Sequence, residues 1–480
     1  MARQRLNRKE LYKNIILIFL IFLSLILFFR LWFGNWIWSY NADPAGKSFF
    51  GLFDASSKSE PVSAEDIIMP KQLILTGGGK RRILEKGTDK FSECYNALID
   101  LSGQIGEGES KPVPATEEEF AAALKSFSVF LDFGSAYGKE FLSMVGGDDL
   151  PATATQYILL TPGDRVIQKV NVYIKDYSTG GIYKLVSEIP SSALTELIDA
   201  HISADSAGNI PFAFELGFDK ARQQEATEIS HNILLDSYIT MGLTDENVDT
   251  VSVSVPRLFA EITDNPSASD RIVSLFGFTP TSTRRFVEKD DVTTFVNKNG
   301  TIKFSHSGVL EYIAENEGVS VTDGADGAGT RALGNIYSLI QNIMIDSGIG
   351  ETQLHIASDL YGITNRSGST VINIDYLING KPVTIVDDGK TVHPISITLE
   401  NGKIVSYKHY VYSFRTEGER VSTSSMIKAV DLLYSQFENS ADSVTVLDLY
   451  KSYVHTVGGD TQILWCAKIK DLSDTTIIRE

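Results

Sequence analysis

The clearest hydrophobic pattern in the chain is a single apolar run near the N-terminus. Residues 15–29 contain no charged side chain and one small polar residue, Ser24. Arg30 follows, and residues 31–38 are again mostly apolar. As an α-helix, the whole run would measure about 36 Å, and a helix of about 20 residues crosses the hydrocarbon core of a bilayer. We therefore predict a transmembrane helix over residues 15–38.

Charged and aromatic residues at the two ends of this run predict its orientation. Residues 1–14 carry five basic residues against one glutamate, which keeps them cytoplasmic by the positive-inside rule. Trp32, Trp36 and Trp38 stand at the far end, where an interfacial aromatic belt would lie. Arg30 is close enough to that end to extend its charge outward. The rest of the chain is therefore predicted to be extracellular. A cleaved secretory signal is the alternative, but no clear small-residue cleavage site follows the run.

Composition predicts how the remaining chain is divided. Residues 39–65 are rich in Ser, Gly, Pro and Lys, which is typical of a flexible tether. Beyond it we predict an N-terminal α+β domain over 66–200, a middle domain over 201–322 and a C-terminal α+β domain over 330–480. A Gly- and Asp-rich loop at 322–330 is the best internal boundary.

Periodicity within these segments predicts an α+β fold, with antiparallel sheets and helices packed on one face. Two Asn-Gly pairs, at 379–380 and 401–402, stand between alternating runs and are strong hairpin signals. Apolar residues at helical spacing predict a helix over 332–345 and another that begins after Ser424 or Ser425. The other predicted helices are at 91–105, 116–127 and 268–276. The predicted strands are at 70–76, 129–133, 155–160, 166–177, 209–216, 250–255, 370–378, 381–385, 396–400, 403–411, 444–449 and 463–469, with a further hairpin at 292–304.

Charge and cysteine content narrow the function classes. The net charge is −18, which argues against nucleic acid as a partner because phosphate binding needs a basic face. Hydrophobic residues make up 43% of the chain, enough to bury sizeable cores. Cys94 and Cys466 could form one disulfide in an oxidising compartment, although two separate buried thiols are the simpler interpretation.

Motifs that could carry chemistry are few and weak. Ser425 and Lys428 have the spacing of a serine acyl-enzyme pair, but its companion motifs are missing and a helix N-terminus is the simpler interpretation. The glycine run at 77–79 lacks P-loop spacing and reads as a turn. Asp323 and Asp326 lack the downstream ligands of a calcium loop, and the seven histidines lack zinc-site spacing. We predict no catalytic residue, no metal site and no cofactor.

The order and spacing of several segments resemble the YycH family of membrane-anchored proteins. The resemblance starts with the basic segment 7–13 leading into the apolar run and continues at 70–76. It reappears at 264–276 with the hairpin strand 301–304. It also reappears in residues 371–412, where predicted strands and Asn-Gly turns follow one another in the same order as in the family. This last segment also resembles YycI, a partner protein that shares the fold.

The resemblance implies a non-catalytic regulator, since YycH proteins modulate the WalK/WalR (YycG/YycF) two-component system of low-GC Gram-positive bacteria. The implied partners are a WalK/YycG-like sensor histidine kinase, a YycI-like protein and the membrane. Contacts between transmembrane helices are part of this expectation, with Ser24 and Arg30 as candidate contact residues and Trp32, Trp36 and Trp38 at the membrane interface. Ser24 and Arg30 could instead face lipid, and the sign of regulation is open. The alternatives are an extracytoplasmic envelope enzyme and a ligand-binding scaffold.

Overall fold

Two large β-sheets and a two-stranded ribbon hold all the strands in the described part of the chain. The computed structural model describes residues 67–102, 111–138, 141, 152–163, 166, 168–202, 208–219, 233–279, 281–316, 318–321, 328–350, 352–360, 368–437, 443–472 and 474–479. Strands and helices are both abundant there, so the α+β prediction is confirmed. None of the helices within these ranges is long and apolar enough to cross a bilayer. The predicted transmembrane helix and tether lie outside them.

The elements are named in chain order. Strands β1 to β12 are Gln72–Gly77, Lys80–Glu85, Val113–Ala115, Ser128–Gly138, Ala154–Pro162, Lys169–Asp176, Ile182–Pro190, Ile233–Leu235, Glu246–Ser254, Arg284–Val287, Thr293–Asn297 and Gly300–Phe304. Strands β13 to β24 are Val309–Ala314, Val319–Ser320, Gln353–Ile356, Ser369–Ile378, Lys381–Asp387, Lys390–Val392, Ile395–Glu400, Lys403–Tyr410, Ser413–Thr423, Val444–Thr456, Thr461–Ile469 and Thr476–Ile478. Helices α1 to α8 are Asp89–Ser102, Glu117–Lys125, Ser191–His201, Ala213–Leu216, Arg257–Glu261, Asp270–Leu275, Ala328–Asp346 and Met426–Phe437. Two short 3₁₀ turns are Pro266–Ser269 and Lys289–Asp291.

The first sheet has the order β2-β1-β4-β5-β6-β7-β3, and each neighbouring pair is antiparallel. Helix α2 begins after Thr116, whose hydroxyl accepts a hydrogen bond from the Glu119 N–H at 3.2 Å. The helix predicted over 116–127 thus begins with an N-cap at its first predicted residue, and the glutamates of the first turn add a favourable interaction with the helix dipole. Phe120 from α2 packs edge-on against Phe130 and Tyr173 of the sheet, so the helix covers one face of it.

The second sheet has the order β10-β11-β12-β13-β20-β19-β16-β17-β22-β23-β24. Pairing is antiparallel from β10 to β17, but β22 is parallel to β17 and also to β8. These two parallel pairs depart from the antiparallel arrangement predicted for the sheets. Strand β13 pairs with β20, so the sheet continues across the boundary predicted at 322–330. The domain limits themselves stay a prediction.

Both Asn-Gly hairpins form where the sequence predicts them. Asn379 and Gly380 have φ angles of 51° and 80° between β16 and β17. Asn401 and Gly402 have φ angles of 51° and 73° between β19 and β20. Two consecutive residues with positive φ are typical of the type I′ turn, whose twist matches that of the adjoining strands. The predicted hairpins are therefore confirmed at their turns and on both flanks.

The strand predicted over 209–216 is wrong, because the second half of this segment is helix α4. The Glu215 carboxylate accepts a hydrogen bond from the Phe212 N–H at 2.8 Å, which caps the helix at its start. Gly217, with φ of 72°, ends the helix in the left-handed conformation. These two local interactions outweigh the alternating pattern that predicts a strand. Cys94 and Cys466 are both buried and free, in agreement with the simpler of the two cysteine interpretations.

Candidate functional site

Charged side chains from both sheets meet in a polar seam, which we define by its residues. They are Lys71, Gln72, Glu85, Asp132, Glu246, His355, Asp375, Lys381, His393, Asp448 and Lys451. The seam residues that precede position 140 come from the first sheet and its flanks. The others come from β9 of the ribbon and from the second sheet and its turns. The seam thus joins parts of the chain that are far apart in sequence.

Lys71, just before β1, is at the centre of the seam. Its ammonium group forms an ion pair with Asp448 of β22 and lies 4.6 Å from the centre of the Tyr450 ring. Burial alone would lower the pKa of Lys71, but the carboxylates of Asp448 and Asp132 outweigh it and raise the pKa above its usual 10.5. Lys71 is therefore charged at neutral pH and links the first sheet to the second by an electrostatic contact.

Asp132 of β4 is the second carboxylate near Lys71. Its two oxygens accept hydrogen bonds at 2.8 Å from the Gln72 amide and from the Gly134 N–H. Burial raises the pKa of Asp132, and the negative charge of Asp448 adds to this, against the opposing effect of Lys71. A bulge in β4 holds Gly134 at φ of 71°, and a Cβ there would lie 3.0 Å from Lys71. Glycine is required at this position because the bulge packs directly on the seam.

A second group of ion pairs extends the seam along β17 and β22. The Lys381 ammonium lies 3.1 Å from a Glu85 oxygen and 3.6 Å from a Glu246 oxygen. Lys451 donates to the other Glu246 oxygen at 2.8 Å. Both lysine side chains are less than a tenth exposed. The carboxylates thus neutralise cations that are costly to bury alone, and their arrangement is that of a structural network.

Two histidines lie at the other end of the seam. The His393 Nδ1 is 2.7 Å from an Asp375 oxygen. Burial lowers the pKa of His393, but the Asp375 charge outweighs it, so the pKa is raised overall. His355 is buried, and burial together with the charge of Lys86 lowers its pKa well below 6.5. The cavity beside these groups measures about 80 Å³, which is smaller than the roughly 300 Å³ of a typical ligand site.

A larger groove of about 730 Å³ lies beside the ribbon formed by β9 and β21. Its walls include Ile463 and Leu464 of β23 and the segment 421–424 at the end of β21. The Trp465 indole N–H donates to the Ser424 carbonyl at 3.0 Å, which ties the two walls together. The lining combines apolar side chains and hydroxyls with Gln462 and the charged residues Lys451, Asp460 and Arg479. Lys451 is already paired with Glu246 in the seam.

Comparison with protein-family models and with curated proteins finds no match. Comparison with solved structures matches the crystal structure of YycH from Bacillus subtilis, with a TM-score of 0.58 and 12% sequence identity. The match covers 88% of this chain and 100% of that one. The chain has a YycH-like fold. The resemblance predicted from short sequence segments is therefore confirmed for the fold, and identity at this level establishes the fold alone.

The contact residues predicted from the sequence lie outside the part of the chain that the structure describes. They are Ser24, Arg30, Trp32, Trp36 and Trp38, and their contacts with partner and membrane therefore stay predictions. The two acidic residues considered for calcium, at 323 and 326, lie outside that part as well. Within the described ranges, no group of three or more His, Cys, Asp or Glu residues is arranged to hold a metal ion.

The remaining motifs in this YycH-like chain have ordinary structural roles. The Ser425 carbonyl accepts the Ala429 N–H at 3.1 Å, just ahead of helix α8, and Lys428 is exposed on that helix. Ser425 therefore marks a helix N-terminus, as the simpler interpretation has it. Gly78 and Gly79 form the tight turn between β1 and β2, with φ angles of 57° and 76°. The glycine turn predicted there is confirmed.

Sequence reasoning missed the seam itself. Lys71 and Asp448 are 377 residues apart, and no motif spacing connects positions so distant. The available signal was a single charged residue inside an otherwise apolar strand, as at Asp448 between Leu447 and Leu449. A charge in that setting indicates a buried partner without identifying it.

Proposed function

We propose that the chain is a non-catalytic, membrane-anchored regulator of a sensor histidine kinase. The observation that carries this proposal is the YycH-like fold, which covers 88% of the chain. The sequence resemblance to the same family supports it independently, since that resemblance was found in the order of local segments. The expected partners are a WalK/YycG-like kinase and a YycI-like protein, and the expected location is the cell membrane with the C-terminal region outside.

Regulation by contact has a simple thermodynamic form. A partner shifts a kinase between two signalling states only by the difference in its affinity for those states. A shift from 1:99 to 99:1 takes about 5.5 kcal/mol of differential binding. Contacts between transmembrane helices, through Ser24 and Arg30, and contacts of the extracellular domain would both contribute. Packing and polar groups decide helix association in lipid, where no hydrophobic driving force acts between helices.

The central experiment is a deletion strain that carries a transcriptional reporter of the kinase's response regulator. We expect deletion to change reporter output and the full-length chain to restore it. A variant with residues 1–40 replaced by an unrelated membrane anchor tests the transmembrane contact. We expect this variant to reach the membrane at normal levels, yet to lose both restoration and co-purification with the kinase. An unchanged reporter in the deletion strain would refute the proposal.

A matched substitution separates regulation from envelope chemistry. Ser425→Ala combined with Lys428→Met removes the pair whose spacing resembles an acyl-enzyme motif. Because Ser425 precedes a helix and Lys428 is exposed, this change should leave the fold intact. We expect the double variant to restore reporter output as well as the wild type does. Loss of restoration at normal protein level would favour the envelope enzyme instead.

A further inference from the structure

The second sheet ends at strand β10, and all four side chains of that strand are exposed. Phe286 is 48% exposed and Val287 is 44% exposed. Within the described part of the chain, β10 pairs on one side only, with β11. An exposed edge strand with apolar side chains is a template on which another strand can pair.

The hydrogen-bond pattern shows which backbone groups face outward. The Glu288 N–H donates to the Val292 carbonyl at 2.8 Å, so the backbone of Glu288 faces β11. Backbone direction alternates along a strand, so Phe286 and Arg284 also face β11, in agreement with the register of the pair. Arg285 and Val287 therefore direct their N–H and carbonyl groups outward. In the described part of the chain, no backbone hydrogen bond uses these outward groups.

We propose that β10 pairs in antiparallel fashion with β10 of a second copy of this chain, about a twofold axis at Phe286. In this register Arg285 of one copy exchanges two hydrogen bonds with Val287 of the other, because both face outward. Phe286 lies opposite its own counterpart, where aromatic rings stabilise a cross-strand pair. Arg284 lies opposite Glu288, which joins opposite charges on both sides of the axis.

Other registers allowed by the outward groups are less favourable. Centring the pair on Arg285 places two arginines opposite each other, and like charges in that position are destabilising. Centring it on Val287 places Arg285 opposite Lys289 and Phe286 opposite Glu288. The sequence Arg-Arg-Phe-Val-Glu at 284–288 is thus self-complementary about its middle residue, which favours a second copy over an unrelated strand as the occupant.

Local charges agree with this pairing. Arg284 forms no ion pair within the described residues, so its guanidinium is available to a partner. Glu288 already accepts from Thr294 at 2.8 Å and lies 3.0 Å from Lys303. These contacts hold the Glu288 carboxylate in place, so a second cation can approach it with little further ordering cost.

Pairing of five residues buries far less than the roughly 1,200 Å² of a stable protein interface. The dimer should therefore be weak between free chains. A membrane anchor would raise the local concentration of the edge and favour pairing, and this point rests on the proposed membrane location. The full-length chain in its own membrane is accordingly the right material for the test.

Single-cysteine crosslinking tests the register directly. Residues opposite each other in a non-hydrogen-bonded antiparallel pair have Cα atoms about 4.5 Å apart, within the usual range for a disulfide. Phe286→Cys should therefore give a covalent dimer under mild oxidation of membranes, seen on a non-reducing gel. Native Cys94 and Cys466 are fully buried and should not contribute. Ile313→Cys, at a 59% exposed site on β13, reports random collisions.

We expect the dimer yield of Phe286→Cys to exceed that of Ile313→Cys several-fold. Cells that express both Arg284→Cys and Glu288→Cys chains should give a crosslink between the two, whereas Arg284→Cys alone should not. Equal yields at 286 and 313, or a maximum at 285 or 287, would overturn the proposal. So would an adduct with a foreign protein, identified by mass spectrometry, in place of a product of twice the chain mass. Kinase output is not part of this readout, so a negative result leaves the proposed function standing.

Discussion

Replacing Lys71 with methionine removes the cation at the centre of the polar seam and keeps a side chain of similar length. Asp448 would lose its ion pair, and Asp132 would lose the positive charge that opposes the rise of its pKa. The Lys71 and Asp448 side chains are 17% and 21% exposed, and Asp132 is 8% exposed. Two carboxylates would then share a poorly hydrated space.

The stability that Lys71→Met should lose follows from this burial. Removing one partner of a fully buried ion pair costs about 3–5 kcal/mol, because the remaining charge is left uncompensated. Partial exposure of Lys71 and Asp448 places the expected loss near the lower limit, at about 3 kcal/mol. Asp448→Asn should cost about 1–2 kcal/mol, because Asp132 still attracts Lys71. The double variant removes both charges, so its loss should be about 2 kcal/mol smaller than the sum of the two single losses.

Urea unfolding of the full-length chain in detergent, followed by far-ultraviolet circular dichroism, measures these differences. Lys169→Met is the matched control, because the Lys169–Glu188 pair is 42% exposed on both sides, where an ion pair contributes less than about 1 kcal/mol. The pKa of Lys71 is raised in the folded chain, so its stabilisation is complete below pH 10.5 and is lost as pH rises through the folded-state pKa. The difference between wild type and Lys71→Met should shrink in that range.

Two results would refute this reasoning about the seam. The first is a Lys71→Met variant no less stable than Lys169→Met under the same conditions. The second is a double variant whose loss equals the sum of the single losses, since that additivity would mean that Lys71 and Asp448 do not interact.

Three further substitutions, in the seam and in residues next to it, are tested by the same unfolding measurement. Burial lowers the pKa of Lys86 from 10.5 to about 8. Lys86→Met should therefore stabilise the folded chain at pH 7, by at most about 3 kcal/mol. A destabilised Lys86→Met variant would contradict this expectation. Gly134→Ala should lower the free energy of unfolding by about 1–2 kcal/mol more than Gly180→Ala does. Both glycines have φ near 70°, but an added Cβ at Gly180 meets open space. Equal losses of stability in the two variants would contradict the packing argument. Asp375 raises the pKa of His393. The stability lost in His393→Gln should therefore be largest below pH 6.5 and shrink as pH rises through the folded-state pKa. A loss of stability that does not depend on pH would contradict this expectation.

Much of the local structure could be predicted because it depends on neighbouring residues. The Asn379–Gly380 turn and the start of the helix predicted over 116–127 are determined within a few positions, and both form as predicted. Helix α7 likewise follows from a stripe of apolar residues within one segment, and Ile336 and Ile340 on that stripe are fully buried. Signals of this kind need no knowledge of the rest of the fold.

Long-range pairing could not be predicted in the same way. Strand β21 is mostly exposed and pairs with β9, where the contacting residues Ser252 and Arg415 are 163 positions apart. Its polar composition has no apolar alternation, so no local pattern indicated a strand. The seam is harder still, because Lys71 and Asp448 are brought together only once both sheets have formed. Edge strand β10 was also missed, since Arg284 and Arg285 interrupt any apolar pattern.

The two parallel pairings of β22 constrain the order in which the chain can acquire its structure. Strand β8 ends at residue 235 and β17 at residue 387, yet both take their partner from residues 444–456. As the polypeptide emerges N-terminus first, these earlier strands therefore remain without that partner until residues 444–456 have been synthesised. Hairpins such as β19–β20 can close early, but the second sheet becomes continuous only after β22 has joined it. Completion of this sheet thus depends on pairing between segments far apart in sequence, which forms more slowly than local hairpins.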